Sequence, residues 1–546
     1  MTAARLLECI FAVVLGITNI FPATWFVDPV EYKGDTSELY NSPYYMDENC
    51  DFVANIPYEK YINYEDEDVT VEEGQLLIEL DSDDLSTEKT AGVANAQIIN
   101  EAIDKVTNAG GGIVYIKGGN YVTNTVTLKS NVTLKIAGDA KLISIGYDEH
   151  MALKEQKKGL NGGVIRIVDA ENVTIEGPGT IDGFGSDFMK EPKKNSGLKV
   201  EDFPVFNLKE YNLAFRDYIR YHKGSRAHVI WAKDVTNLTI SNVHLRESAN
   251  WNMRIINCTN VDVHNTIIDN NVHIENGDGV NYVGCNNVVM RDCFVAAADD
   301  AICLKADTGK GCYNHKIYNC EVMSLANCFK IGTPTVEPVE NIEVYDCKFF
   351  KAGIMGGYAG IALESADGTD MKNVYIHDID MDGVLSPVLI WLGCRMEHGG
   401  EKVGSISDIT IENITANNVD VPSAIRGCVY EGKNYYVENV TLRNFNVVYR
   451  DSQENLDLPG PLEYFYATAA ADVYPDITRV FYLGNSNNRY EDSAMKDYPV
   501  YGLYAIYVNG LTVENFNVKP RSCNELPCDN LRKASDRFRA ENITWK

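Results

Sequence analysis

The chain has 546 residues, 45% of them hydrophobic, and its 78 acidic against 49 basic side chains leave a formal charge of −29. That excess repels phosphate backbones, so nucleic acid and anionic membrane surfaces are excluded as partners. It also opposes an anionic ligand unless basic residues gather at one place. Fourteen cysteines occur without a CxxC pair or a Cys/His cluster at zinc spacing, so the sequence calls for no metal and no cofactor.

In chain order, Arg5 precedes an apolar run from Leu6 to about Phe21, the length of an export-signal core ending near residue 24. A buried element of an N-terminal domain is the alternative. No later stretch is long and apolar enough to span a bilayer. Residues 1–85 are rich in Asp, Glu, Tyr and Asn and lack the repeat found beyond them, which suggests a small accessory domain or extension. Ala94 to Asn108 reads as an amphipathic helix, followed by Gly110-Gly111-Gly112 and a strand from Ile113 to Ile116. Such a helix would cap a sheet core whose edge is otherwise unpaired.

From residue 86 to 546 a short unit recurs, a turn ending in Asn followed by alternating apolar residues. Copies begin at Asn131, Asn172, Asn237, Asn260, Asn287, Asn341, Asn373 and Asn439. Cys258, Cys285 and Cys312 are spaced by 27 residues, as are Cys293, Cys320 and Cys347. Period-two alternation on a fixed repeat predicts an all-β solenoid, a parallel β-helix whose stacked coils bury one continuous core. The cysteines are expected inside, stacked like on like, and the asparagines at turns, where left-handed backbone is tolerated. Interruptions at about 185–224 and 432–498 are expected to be loops over one face. Cys523 and Cys528 are candidates for a local disulfide, with two buried free thiols as the alternative.

Polar residues concentrate between Asn276 and Lys330. Asn276-Gly277-Asp278-Gly279 precedes one coil and Ala298-Asp299-Asp300-Ala301 sits in the next. The repeat register stacks Asp300 one coil from Asn327 and brings Asp278 in from the preceding coil. Three grouped carboxylates cannot all ionise cheaply, so at least one keeps a proton. One protonated acid beside ionised partners is the equipment of glycoside hydrolysis. A solvated turn or a calcium site is the alternative for an Asp-Asp pair.

With these residues in place, the chain from about Ala94 onward resembles glycoside hydrolase family 28, the polygalacturonase and rhamnogalacturonase family. The resemblance rests on Asn276-Gly277-Asp278, Asp299-Asp300, Gly177 to Gly183, Ser248-Ala249-Asn250-Trp251 and Tyr498 to Leu503. It implies a right-handed parallel β-helix, an inverting mechanism, and a pectic polysaccharide or oligosaccharide as substrate. Asp299 would be the general acid, with Asp278 and Asp300 sharing the attacking water. Two departures stand out. Leu325-Ala326-Asn327-Cys328 replaces the family's Gly-His-Gly, and Ala362 and Glu364 replace a basic pair expected to grip a uronate. Lys305 and Lys330 are candidate substitutes for that charge, a solvated lysine being the plain alternative for each. Asn276, Asn327, Glu364, Trp391 and Arg395 complete the candidate sugar-binding set, while Trp251 is assigned to the core. The competing functions are hydrolysis of a different glycan, neutral ones included, a non-catalytic carbohydrate-binding β-helix, and a calcium-dependent lyase. Export would put the protein outside the cell or in its envelope; without export it would act in the cytoplasm on imported oligosaccharides.

Overall fold

The computed structural model describes residues 44–46, 52–54, 58–64, 69–190, 221–271, 274–351, 359–384, 386–396, 398–419, 423–449, 503–520 and 542–545. The apolar run near the N-terminus, Cys523 and Cys528, and most of both interruptions lie outside these residues. The fold is the expected right-handed parallel β-helix, and it divides into two compact units. Among the described residues no helix is long and apolar enough to cross a membrane.

The first unit holds residues 57–191 and 220–322. A typical coil runs Thr259–His264, Ile267–Asp269, Val280–Val283, and the next runs Asn286–Arg291, Phe294–Ala297, Ile302–Ala306. Every strand pairs in parallel with its equivalent one coil away. Leu238 thus lies beside Val261 and Val261 beside Val288, all at 2% exposure or less. Burying these columns against one another supplies the core that no single coil could form. The expected helix spans Gly92–Asn108 and buries Ile99, Ile103 and Val106 completely. Leu76–Leu80 pairs in parallel with Gly112–Ile116, so residues that the sequence grouped with the N-terminal extension supply a strand to this sheet.

The cysteine and asparagine columns explain the repeat. Cys258, Cys285, Cys312 and Cys293 are fully buried, and Cys320 and Cys347 nearly so; all are free thiols packed as small apolar groups. Outside, each turn asparagine donates to the one a coil before it: Asn172 to Asn131, Asn237 to Asn172, Asn260 to Asn237 and Asn287 to Asn260, at 2.8–3.1 Å. All five have φ between 55° and 62°, the left-handed region that asparagine visits at little cost.

The second unit includes residues 323–546. Its longest strands pair in the same parallel manner, with Asp370–Asp382 between Val339–Lys351 and Ser405–Val419, while Cys428–Tyr430 and Lys433–Tyr435 form an antiparallel pair. The start of the interruption expected at about 432–498 is corrected, because Val437–Tyr449 is a regular strand paired in parallel with Ser405–Val419, and Leu503–Ile506 pairs with Ser423–Arg426.

The asparagine ladder can be tested at Asn260. Valine there must adopt left-handed backbone and gives up the ladder bonds, a loss of about 1–2 kcal/mol. Glycine gives up the bonds but not the conformation and should cost less. Denaturant unfolding of both variants should rank them valine below glycine; equal midpoints would show that backbone conformation does not set the preference.

Candidate active site

The aspartates lie where two turns of the first unit are bolted side by side. Each turn leads from a short outer strand into the sheet that contains Val280–Val283 and Ile302–Ala306. The Gly279 N–H donates to the Asp300 carbonyl (3.0 Å), Val280 to Ala301 (2.8 Å), and Ala298 to Gly277 (2.9 Å). Asp278 therefore sits one coil from Asp299 and Asp300, about 4.8 Å along the axis. A Cβ on Gly279 would lie 2.4 Å from the Ala301 carbonyl oxygen, so only glycine lets the two turns approach this closely.

A second layer fixes the Asp278 turn from behind. Asn270 donates to the Asp278 carbonyl at 2.7 Å and to Gly277 at 3.2 Å, while its own side-chain oxygen accepts from Asn252 at 2.9 Å. The Asn252 backbone N–H also reaches the Asp278 carbonyl, at 2.8 Å. Asn270 and Asn252 are buried, so these bonds are shielded from competing water.

The carboxyls differ in setting. Asp278 is 2% exposed and accepts one bond from Asn281 at 3.0 Å. Burial, reinforced by the negative charge of Asp299, raises its pKa well above the usual carboxylate range, and Lys305 only partly offsets this. Asp300 is 3% exposed, whereas Asp299 is half-buried and its carboxylate accepts the Asp300 N–H at 2.9 Å. The charges of Asp299 and Asp300 thus add to burial in favouring the neutral form of Asp278.

Four basic or aromatic residues surround the aspartates. Lys305 is 5% exposed rather than solvated. Burial works to strip its proton, but Cys303, Asp278, Asp300 and Asp299 outweigh that, and its pKa is raised. Its ammonium lies 5.1 Å from the centre of the Trp251 ring, and the Arg254 guanidinium lies at the same distance. Trp251 is half-buried beside the aspartates, which corrects its assignment to the core. Arg226 went unnoticed in the sequence because it belongs to no repeat and follows the interruption. Its Nη2 donates to Asn276 Oδ1 at 2.8 Å and its Nη1 to the Glu275 carbonyl at 2.6 Å. Burial lowers its pKa, against the pull of Glu275, Asp278 and Asp299. His222 joins the same turn through Glu275 at 2.7 Å, so the returning end of the interruption is anchored on the Asn276 turn.

The remaining candidates belong to the second unit. Asn327 is fully buried, and its side-chain oxygen accepts the Ala359 N–H at 3.2 Å. Lys330 and Glu364 form an ion pair at 3.6 Å, with exposures of 1% and 0%, which corrects the picture of a solvated lysine. Trp391 is 2% exposed, so its ring offers no open stacking face. Arg395 grips Asp367 in a two-bond fork and donates to Thr333 at 3.3 Å, a structural engagement of most of its donors.

The buried carboxyl has a consequence for stability. Because the folded pKa of Asp278 is raised, the folded state holds more protons than the unfolded one between the ordinary carboxylate value and the raised one. Its contribution is fully present below the ordinary value and is lost as pH rises through the raised one. Asp278→Asn, which mimics the neutral form, is expected to raise the melting temperature by about 2 °C at neutral pH. The gain should vanish near pH ~4. A gain that does not depend on pH would contradict the assignment.

Comparison with known proteins agrees with this architecture. The family model described as glycosyl hydrolases family 28 matches residues 112–458. An endo-polygalacturonase of Pectobacterium parmentieri is 25% identical over 316 residues, 58% of this chain and 74% of that one. Polygalacturonase-2 of Solanum lycopersicum is 22% identical over 368 residues, 65% and 71% of the two chains. Two solved structures share the fold. The exopolygalacturonase of Thermotoga maritima has a TM-score of 0.53 at 18% identity, covering 68% of this chain and 87% of that one. The family 28 exopolygalacturonase of Yersinia enterocolitica has a TM-score of 0.56 at 16% identity, covering 86% and 78%. With the family model spanning more than half its length and the paired turns carrying Asp278, Asp299 and Asp300, this chain belongs to glycosyl hydrolases family 28.

Proposed function

We propose that this glycoside hydrolase cleaves pectic chains containing uronic acid by single displacement with inversion. The observation that carries the reading is the apposition of the Asp278 and Asp299-Asp300 turns, held by three backbone hydrogen bonds between adjacent coils. Asp299, the most exposed of the three, protonates the departing glycosidic oxygen. Asp278 and Asp300 orient a water on the opposite face of the sugar and take its proton as it attacks the anomeric carbon. Lys305 favours the ionised form that Asp278 needs as a base, against the burial and the Asp299 charge that raise its pKa.

The same cations support a uronate as substrate. Ala362 and Glu364 stand where the sequence departs from a basic pair, and Glu364 is engaged by Lys330. Positive charge is instead concentrated around the aspartates, at Lys305, Arg254 and Arg226. The curated relatives quoted above are named as polygalacturonases. Action outside the cell follows if the apolar run from Leu6 to about Phe21 is an export signal.

Three measurements decide the reading. Asp299→Asn is expected to lower kcat by about a thousandfold or more while binding of oligogalacturonate changes little; undiminished turnover would refute the role. In a panel of galacturonan, rhamnogalacturonan and neutral oligosaccharides, uronate-containing chains should be cleaved with the highest kcat/KM, and preference for a neutral glycan would transfer the function to that substrate. NMR of the freshly released sugar should show the inverted anomer, and a retained anomer would exclude the water-attack scheme.

A further inference from the structure

The outer face of the sheet beside the aspartates bears two arginines, Arg166 and Arg254, that form no ion pair among the described residues; Arg254 feels Asp307 only as a charge at longer range. Parallel register aligns Arg166 with Trp231, Trp231 with Arg254, and Arg254 with Asn281, the residue that donates to the Asp278 carboxyl. One column of side chains thus runs from the aspartates toward the N-terminal coils. At roughly 4.8 Å per coil, Arg166 lies about 14 Å from Asn281 along the axis. The Arg166 guanidinium rests 5.3 Å from the Trp231 ring centre, and Arg254 and Lys305 each lie 5.1 Å from that of Trp251. Two indoles therefore shelve three cations in succession.

The arginines are half-buried, and the Nε atom of each is buried without a hydrogen bond. Neither forms an ion pair among the described residues, although acidic side chains outnumber basic ones by 78 to 49 in the sequence. Holding a desolvated cation without a counter-charge is costly. An indole face offsets part of that cost through the attraction of its ring for positive charge. Two such arrangements in one register column are the chemistry of a site whose counter-charge arrives with a ligand.

We propose that Arg166 and Arg254, shelved on Trp231 and Trp251, form binding subsites for the carboxylates of successive uronate units in a chain extending from the aspartates toward the N-terminal coils. This rests on the function proposed above and names the residues that read the charge of its substrate. The guanidinium fork takes a carboxylate in two parallel bonds, which a neutral sugar cannot supply. Specificity for charge would then lie along the approach to the scissile bond rather than in the basic pair replaced by Ala362 and Glu364.

The test uses the full chain carrying Asp299→Asn, so that ligand is bound but not consumed, with Arg166→Gln or Arg254→Gln added. Probes are a galacturonate pentamer, a galacturonate dimer and a carboxyl-reduced, neutral pentamer. Each arginine substitution is expected to weaken the charged pentamer about tenfold. The dimer and the neutral pentamer should change by less than about twofold, and salt at about 0.5 M should shrink the charged-pentamer effect. An unchanged charged pentamer, an equal loss on all three probes, or no uronate binding by the parent would overturn the proposal. Uronate binding of the expected pattern without turnover by the wild type would count against the proposed reaction and leave the subsites standing.

Discussion

The structure depends on one constraint, the close backbone apposition of successive coils at the turns that carry the aspartates. Three carboxyls on neighbouring turns repel one another and lose hydration, so they stay together only because rigid, satisfied backbone holds them. The bonds from Gly279 to Asp300, Val280 to Ala301 and Ala298 to Gly277 provide that frame, and Asn270 and Asn252 close it from behind. The cost of this grouping is expressed in the raised pKa of Asp278. In the proposed reaction Asp278 gives up its proton to serve as a base, a change that Lys305 favours, while Asp299 carries the proton for the departing oxygen.

The β-helix suits this task because its register is redundant. Each coil is fixed by parallel pairing, by buried columns such as Leu238, Val261 and Val288, and by an external asparagine ladder. A one-residue slip would turn every apolar side chain outward. Groups placed on neighbouring turns are therefore held in place without depending on one another, and the turns are free to carry chemistry. The same register explains how Arg166, Trp231, Arg254 and Asn281 come to share one column although they are far apart in sequence.

Much of this was legible in the sequence, because the repeat exposes register directly. The cysteine spacing located the interior, the recurring asparagines located the left-handed turns, and the Asp278 and Asp299-Asp300 motifs located the paired carboxyls. What escaped notice depends on contacts outside the repeat. Arg226 follows an interruption with no periodicity, and only the fold shows it bonded to Asn276. Trp251 looked like a core residue because an isolated tryptophan gives no sign of which way it faces. Lys330 and Glu364 were read as separate sugar-binding candidates, because side chains on adjacent coils are more than thirty positions apart in the chain yet pair across the sheet.

Burial and the neighbouring carboxylates should keep Asp278 protonated well above the ordinary carboxylate range. Carbon-13 NMR titration of protein labelled at the aspartate carboxyls tests it, with Asn variants at 278, 299 and 300 assigning the signals. At least one carboxyl of the three is expected to titrate well above the ordinary aspartate value of about 3.9, and replacing Asp299 should move the Asp278 transition downward. Three independent transitions near the ordinary value, unaffected by replacing a neighbour, would contradict it.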